Sequence, residues 1–310
     1  MSESKLILHH YDASTFSEKI RLLMGYKGLR WRSVIQPDVM PKADLLALTG
    51  GHRLVPVLQL GSDIYCDSAC IMRRLARPDI GGRSLDESAS ATQRGLSQWG
   101  ESIVFPLVTI SLARGVFSPP SSVFSESFIA DRQQMSGPGF NPETASRYID
   151  WRLAQLRRHL HALEMQFDDN RPFLVGSECS PADFAVYHPL WSLELQGSMA
   201  ELARFPKTTA WFNRMSAFGH GQREDTTTEQ ALEEAANSMP AVLPDTLLPR
   251  DDLAIGERVK LRFEAYNSGS VRGELAWLGH EDMAIRRVDD NVGEVMVFFP
   301  IEGYILSRET

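Results

Sequence analysis

One short stretch, residues 53–68, constrains the fold most, because a proline in it stands directly before an apolar run. Proline has no backbone N–H to give to a sheet ladder, so we expect Pro56 at the first residue of a strand. A polar turn at residues 61–63 and a second apolar run follow, which together indicate a β-hairpin. Asp67 or Ser68 can then cap a helix. The backbone N–H groups at such a helix start are open to a carboxylate.

The segments before this hairpin predict an α/β domain. Strands are indicated near residues 5–11 and 31–36, and helices near residues 14–27 and 41–48. With the hairpin and the helix after it, the order becomes β-α-β-α-β-β-α. This order is the thioredoxin-like pattern, in which two strands bracket a helix and a hairpin with a closing helix follows.

The middle of the chain predicts an all-helical domain, because helical patterns dominate residues 88–218. One long helix is indicated at residues 89–113. The clearest helix spans residues 144–167, where apolar residues recur at spacings of three and four. Residues 115–142 are rich in Ser, Pro and Gly, which predicts an extended loop that is either a lid, a substrate loop or simply mobile.

The end of the chain changes to a β pattern. Apolar and charged residues alternate at residues 257–265, and turn signals recur after that segment. About five short strands predict a small SH3-like, barrel-like domain, and residues 226–236 are a candidate for a short helix. We therefore divide the chain into a thioredoxin-like domain at residues 1–80, an all-helical domain at 84–220, a linker at 221–252 and a small SH3-like β domain at 253–310.

The composition argues against several classes of protein. The 310 residues carry a formal net charge of −8, so there is no bulk electrostatic case for binding nucleic acid or an anionic membrane. The first residues lack the pattern of a signal peptide, and no run of 18 apolar residues predicts a spanning helix. We expect no nucleic-acid partner and no membrane partner.

The three cysteines, Cys66, Cys70 and Cys179, do not make a disulfide framework. The spacing of Cys66 and Cys70 matches neither a CxxC redox pair nor half of a zinc site. We expect all three to be reduced thiols in a cytoplasmic protein, and we predict no metal site.

Three motifs resemble the cytosolic glutathione S-transferase superfamily, in a bacterial form with a serine-type N-terminal signature. Residues 55–58 (Val-Pro-Val-Leu), followed by Asp67 and Ser68, resemble its glutathione site. Residues 14–21 (Ser-Thr-Phe-Ser-Glu-Lys-Ile-Arg) resemble the start of its first helix. Residues 180–183 (Ser-Pro-Ala-Asp) resemble the capping box that begins a helix of its helical domain, where the role is folding. The resemblance spans roughly residues 5–218.

This resemblance implies a set of glutathione contacts. In the superfamily the bond before the proline is cis, and the residue before it offers its backbone to the cysteinyl part of glutathione, which assigns Val55 here. The acid–serine pair, Asp67 and Ser68, would hold the γ-glutamyl end. The same hairpin with an ordinary helix cap is the alternative interpretation of these residues.

The resemblance also places Ser14 where other members carry a catalytic Ser or Cys. A hydroxyl and helix N–H groups beside a sulfur stabilise its thiolate and lower the thiol pKa, and the thiolate is the nucleophile. Ser14 would thus donate a hydrogen bond to the glutathione sulfur. The alternatives are that Ser14 is only the N-cap of the helix, or that Ser17 or Tyr11 is the donor. Because serine cannot exchange disulfides, we do not predict a thiol–disulfide reductase.

The glycyl carboxylate of glutathione needs a basic partner near the start of the hairpin. A common family form has Lys two residues before the proline, where this chain has Leu54. Arg53 is our choice for this role, because a guanidinium can bind a carboxylate through two hydrogen bonds. Lys42 and His52 are nearby alternatives.

The resulting hypothesis is an enzyme like a glutathione transferase, which conjugates the glutathione thiolate to an unknown small electrophile. Glutathione would be a co-substrate, and the family leads us to expect a homodimer. One alternative is a non-catalytic scaffold with the transferase fold, whose β tail binds a partner protein. Another is a glutathione-dependent isomerase or lyase.

Overall fold

Ten strands of the described residues form one mixed sheet. The computed structural model describes residues 5–85, 90–111, 125–136, 147–243, 253–266 and 268–309. The strands are β1 (Ile7–His10), β2 (Arg30–Ile35), β3 (Val57–Leu60), β4 (Asp63–Cys66), β5 (Gln222–Asp225), β6 (Arg258–Phe263), β7 (Ser270–Leu278), β8 (Asp282–Asp289), β9 (Gly293–Pro300) and β10 (Tyr304–Arg308). Their order across the sheet is β10-β6-β7-β8-β9-β4-β3-β1-β2-β5.

The α-helices alternate with the strands in the N-terminal part, dominate the middle of the chain, and include one helix between β5 and β6. In chain order they are α1 (Thr15–Lys27), α2 (Ala43–Thr49), α3 (Ser68–Ala76), α4 (Ala91–Trp99), α5 (Phe105–Ser111), α6 (Glu126–Ser136), α7 (Ile149–Gln166), α8 (Pro181–Leu195), α9 (Pro206–Ser216) and α10 (Thr228–Ala236). A π-helical turn, Gly100–Val104, joins α4 to α5.

The N-terminal part has the predicted thioredoxin-like arrangement. Strand β1 is parallel to β2 and antiparallel to β3, and β3 and β4 form the predicted hairpin. Leu8 on β1, Ile20 on α1 and Ile71 on α3 are fully buried in one apolar cluster. Helices α1 and α3 therefore cover one face of this half of the sheet.

The helical domain is also confirmed, and it continues the same core. Leu156 and Leu160 on α7, Phe184 on α8 and Trp211 on α9 belong to the apolar cluster that holds α1 and α3. Helix α7 corresponds to the helix predicted at residues 144–167, of which residues 144–146 lie outside the described part. Because one cluster spans both domains, the start of α1 is held against the helical domain.

The helix predicted at residues 89–113 is interrupted by the π-helical turn. Pro106 has no N–H, so it cannot make the regular helical bond to the carbonyl four residues earlier, and such turns form where the ladder is disturbed. A Cβ on Gly100 would lie 2.7 Å from the backbone oxygen of Ala185, so only glycine permits this approach to α8. The turn brings Glu101 to the boundary with the N-terminal domain, where it pairs with Lys19.

The loop predicted at residues 115–142 is wrong for its middle part. Residues 126–136 form helix α6, with Phe128 and Met135 buried. Residues 115–124 and 137–142 lie outside the described residues. The Ser, Pro and Gly that suggested a loop fall mostly on those flanks, so the helix between them was overlooked.

The C-terminal β segment does not fold apart from the N-terminal domain. Strand β9 is parallel to β4, with Ile64 opposite Val297 and Tyr65 opposite Phe298. The rings of Tyr65 and Phe298 stack, with their centroids 4.5 Å apart. Strands β6 to β9 follow one another antiparallel, and β10 returns to β6. These apolar pairs make the segment a continuation of the thioredoxin-like sheet, while the SH3-like class stays a prediction.

The linker predicted at residues 221–252 also contains ordered elements. Residues Gln222–Asp225 form β5, which is parallel to β2. The short helix predicted at residues 226–236 is present as α10, with Thr227 and Gln230 forming its capping box. Residues 244–252 lie outside the described part of the chain.

The predicted capping box at residues 180–183 is confirmed, and its acid does more than cap. Asp183 is fully buried and accepts hydrogen bonds from the backbone N–H of Ser180 and Leu174 and from the indole of Trp211, each at 2.9 Å. The Ser180 hydroxyl donates a fourth, at 2.8 Å. One carboxylate thus joins the start of α8 to α9 and to the chain before α8.

Replacing Asp183 by alanine should strongly destabilise the protein, because it leaves several buried donors without an acceptor. We expect Asp183→Ala to lower the free energy of unfolding by about 3 to 5 kcal/mol. Urea denaturation followed by circular dichroism measures this. The matched control is Asp168→Ala, which removes an exposed ion pair with Lys207 and should cost less than about 0.5 kcal/mol. Equal losses in the two variants would contradict this role of Asp183.

Candidate active site

The candidate site surrounds the turn that enters β3. The Val55-Pro56 peptide bond is cis, as the family resemblance implied. The β3–β4 hairpin leads from this turn to Asp67 and Ser68 at the start of α3. Lys19, one turn into α1, donates a hydrogen bond to the Ser68 hydroxyl across 3.3 Å. The structure therefore brings the first turns of α1 and α3 side by side.

Ser14 is the N-cap of α1. Its Oγ accepts hydrogen bonds from the backbone N–H of Ser17 at 3.2 Å and from the Ser17 hydroxyl at 2.9 Å. Both bonds use acceptor capacity of the Ser14 oxygen. Among the described residues, no acceptor is bonded to the hydrogen of the Ser14 hydroxyl. Ser14 can therefore cap the helix and donate to a ligand at the same time.

Asp67 has an unusual backbone conformation, with a φ of 73°, which few residues other than glycine adopt. It is the N-cap of α3, where its Oδ1 accepts from the Ala69 N–H at 2.8 Å. Its Oδ2 accepts from the hydroxyl of Tyr304, on β10, at 3.3 Å. Burial raises the pKa of Asp67, while the Ala69 hydrogen bond opposes that shift.

Next to Ser68 lies an ionic network that the sequence analysis did not predict. Besides Ser68, the Lys19 ammonium donates to Glu101, which belongs to the π-helical turn. The buried ring of His188 on α8 lies 3.8 Å from the same Glu101 carboxylate. Burial alone would raise the pKa of Glu101, but Lys19 and His188 lower it well below its usual range. Lys19 falls within the motif at residues 14–21, whereas nothing in the sequence marks Glu101.

Arg53 lies at the site, but it already has a carboxylate partner. Its guanidinium binds both oxygens of Asp131 on α6. The side chains of Arg53 and Asp131 are only 12% and 10% exposed. Arg132, the next residue on α6, donates to the Tyr11 hydroxyl at 3.3 Å. Burial alone would raise the pKa of Asp131, but the hydrogen bond from Arg53 and the nearby cations lower it.

Lys42 is a second cation beside Arg53. The residue is only 4% exposed. Its ammonium lies 3.4 Å from the backbone oxygen of Arg53 and 5.8 Å from the centre of the Tyr11 ring. Burial, together with the positive charges of Arg132 and Arg53, lowers the pKa of Lys42 to about 8. Burial is the largest cause of this lowered pKa, and the nearby carboxylates of Asp131 and Asp38 oppose it only in part.

This part of the site therefore has an excess of positive charge. In the described structure, the cations of Lys42, Arg53 and Arg132 lie near two carboxylates, Asp131 and Asp38. Arg132 is held by Asp131, by the Asp38 backbone oxygen and by Tyr11. A bound carboxylate would balance the remaining positive charge.

Two further properties concern the described part of the chain only. None of its helices combines the length and the apolar character that crossing a membrane requires. Its His, Cys, Asp and Glu side chains form no group of three or more that could hold a metal ion.

Comparisons with known proteins agree with this architecture. Residues 8–79 match the family model described as glutathione S-transferase, N-terminal domain, and residues 137–218 match the model of the C-terminal domain. The crystal structure of a GST-like protein from Pseudomonas syringae is 35% identical and superimposes with a TM-score of 0.82. The match covers 99% of this chain and 100% of that chain. The chain therefore belongs to the glutathione S-transferase family.

More distant structures share the fold alone. A glutathione S-transferase from Rhodospirillum rubrum F11 is 21% identical with a TM-score of 0.53, covering 68% of this chain and 88% of its own. The beta-etherase LigF from Sphingobium sp. strain SYK-6 is 18% identical with a TM-score of 0.52, covering 69% of this chain and 96% of its own. No curated protein matches the chain by sequence. The fold by itself thus does not choose the reaction.

The low pKa of Lys42 generates a prediction for ligand binding. Above about pH 8 the ammonium loses its proton, so a carboxylate that binds there should lose affinity by up to about tenfold per pH unit. We expect this fall for S-methylglutathione, whose sulfur does not titrate, in calorimetric titrations between about pH 7 and about pH 9.

The matched variants are Lys42→Arg and Lys42→Met. Lys42→Arg keeps its positive charge, so its affinity for S-methylglutathione should be the same at the two pH values, apart from the effect of titration of the ligand itself. Lys42→Met should bind S-methylglutathione weakly at both pH values, because it has no ammonium group. If the wild type and Lys42→Arg have the same pH profile, Lys42 does not hold the ligand carboxylate.

Proposed function

We propose that this protein is a glutathione-dependent transferase. The observation that carries the proposal is the start of α3, capped by Asp67 and held beside the first turn of α1 by the hydrogen bond from Lys19 to Ser68. The match to the Pseudomonas syringae GST-like protein over nearly the whole chain supports it. The substrate is a small molecule with an electrophilic carbon.

Each predicted site residue has a role in this proposal. The Val55 backbone binds the cysteinyl part of glutathione, Asp67 pairs with the γ-glutamyl ammonium, and Ser68 binds the γ-glutamyl carboxylate. Lys19 adds a positive charge next to Ser68. The Ser14 hydroxyl donates to the glutathione sulfur and favours its thiolate, whose proton passes to solvent. The thiolate attacks the electrophilic carbon, so that a carbon–sulfur bond forms while the bond to a leaving group breaks and that group departs with the electron pair.

The glycyl carboxylate binds to the cations that lie before the turn. Arg53 supplies the fork geometry and Lys42 supplies the uncompensated charge. In the structure, Asp131 already binds the Arg53 guanidinium. The carboxylate of glutathione must therefore share Arg53 with Asp131 or displace it.

Conjugation is favoured over disulfide exchange. Ser14 has no sulfur, and burial raises the pKa of Cys66, Cys70 and Cys179 well above the usual range of a thiol. A buried thiol that stays protonated is a poor nucleophile. The cysteines of the chain therefore serve as apolar core residues in this proposal.

Two alternatives use the same fold. A glutathione-dependent isomerase or lyase would form the same thiolate, and analysis of the product separates it from a transferase. A non-catalytic scaffold is favoured by Leu54 and by the occupied Arg53, but its β tail would need a free docking surface, whereas strand β9 of the tail pairs with β4. The homodimer and the cytoplasmic location expected from the sequence are part of our proposal.

Removal of the Ser14 hydroxyl tests the proposed chemistry. Ser14→Ala should lower kcat/KM for conjugation of a generic electrophile at least tenfold, about 1.4 kcal/mol of transition-state stabilisation. It should also raise the pKa of the bound glutathione thiol, which ultraviolet absorbance of the thiolate measures. The controls are Ser17→Ala and Tyr11→Phe. Unchanged turnover in Ser14→Ala, or a larger loss in either control, would exclude Ser14 as the donor.

Release of Arg53 tests the glycyl contact. Asp131→Asn removes the negative charge that competes for the guanidinium, so we expect glutathione to bind about three- to tenfold more tightly. Titration calorimetry measures the Kd, and Asp168→Asn, at an exposed position in the turn after α7, is the control for the change in net charge. An unchanged or weaker affinity would show that the glycyl carboxylate does not use Arg53.

A further inference from the structure

A residue of the C-terminal strands β6 to β10, which we call the β tail, reaches the candidate site. Tyr304 begins β10, and its hydroxyl lies 3.3 Å from Oδ2 of Asp67. The residue is 9% exposed. Its ring packs against Phe263 and Phe299, with centroids 5.0 and 5.3 Å away, and near the ring of His52 at 6.3 Å. No signal in the sequence connects this tyrosine with the hairpin more than 230 residues earlier.

The tail is fixed where it meets the site, so this contact does not depend on one mobile side chain. Arg287 on β8 donates to the backbone oxygen of Ala47 near the end of α2, at 3.0 Å. A Cβ on Gly51 would lie 2.4 Å from the backbone oxygen of Ser270, at the start of β7. Together with the β4–β9 pairing, these contacts hold β10 against the loop before the cis peptide.

The hydroxyl completes the orientation of the Asp67 carboxylate. Oδ1 accepts from Ala69 and Oδ2 accepts from Tyr304. Each oxygen of a carboxylate has two lone pairs, so each keeps one for a further donor. With both oxygens held, the free lone pairs have fixed directions, which is the arrangement that pairs well with an ammonium group.

We propose that Tyr304 is a positioning residue for recognition of the γ-glutamyl ammonium, acting through Asp67. The β tail thereby becomes part of the glutathione site. This inference rests on the proposed binding of glutathione. It assigns the tail a role in selecting γ-glutamyl thiols over thiols that lack the amino group.

The test compares two ligands that differ by that amino group. Calorimetric Kd values are measured for S-methylglutathione and for its analogue in which a glutaryl group replaces γ-glutamyl. The wild type should prefer S-methylglutathione. Tyr304→Phe removes only the hydroxyl, and it should lower this preference about five- to tenfold while binding of the glutaryl analogue changes less than twofold. Tyr266→Phe, on the same tail, is the matched control and should keep the wild-type preference.

A second variant shows whether the effect passes through Asp67. Asp67→Asn should lower the preference by itself, and adding Tyr304→Phe should then change it no further. A preference in Tyr304→Phe equal to that of the wild type overturns the inference, as do equal losses for both ligands, which would indicate a structural role alone. A wild-type protein that binds neither ligand overturns the proposed function as well, whereas normal binding with an unaffected preference overturns only the role of Tyr304.

Discussion

The backbone pairing of β4 with β9 is the interaction on which the organisation of this protein depends. Strand β4 is four residues long and fully buried, and it lies between the hairpin partner β3 and a strand that comes more than 220 residues later. The residue after β4 is Asp67. The pairing of β4 with β9 therefore also sets the position of the acid that we propose to bind the ligand. The fold and the site therefore share one structural element.

The charges of the site have the pattern that glutathione would require. Asp67, Lys19 and Glu101 offer both signs around Ser68, which suits a γ-glutamyl end that carries an ammonium and a carboxylate. Lys42 and Arg53 offer positive charge beside the cis peptide, which suits a single carboxylate. Lys19, Lys42 and Arg53 are largely buried, so a charge on any of them costs free energy without a partner. Arg53 is accordingly paired with Asp131, and Asp67 accepts a hydrogen bond from Tyr304.

The sequence predicted those parts of the structure that depend on local chemistry. Pro56 was expected to begin a strand, which starts one residue later at Val57. Asp67 or Ser68 was expected to cap a helix, which Asp67 does, and Asp183 indicated a capping box. Each of these residues acts on backbone within a few residues. The role of Arg53 stays a prediction. The polar strand Gln222–Asp225 has no apolar pattern of its own and exists through its pairing with β2. The partners Asp131 and Tyr304 are likewise fixed by tertiary packing, which no local pattern reveals.

The late segments of the chain have a consequence for association with other molecules. The thioredoxin-like half alone has the strand order β4-β3-β1-β2, so its two outermost strands would present unpaired backbone groups. Strand β9 covers one of them and β5 covers the other. Neither β2 nor β4 can therefore accept a further strand from an extended peptide or from another copy of the chain. In the described part of the chain, the open edges of the sheet are β5 and β10, so a partner strand could add only there.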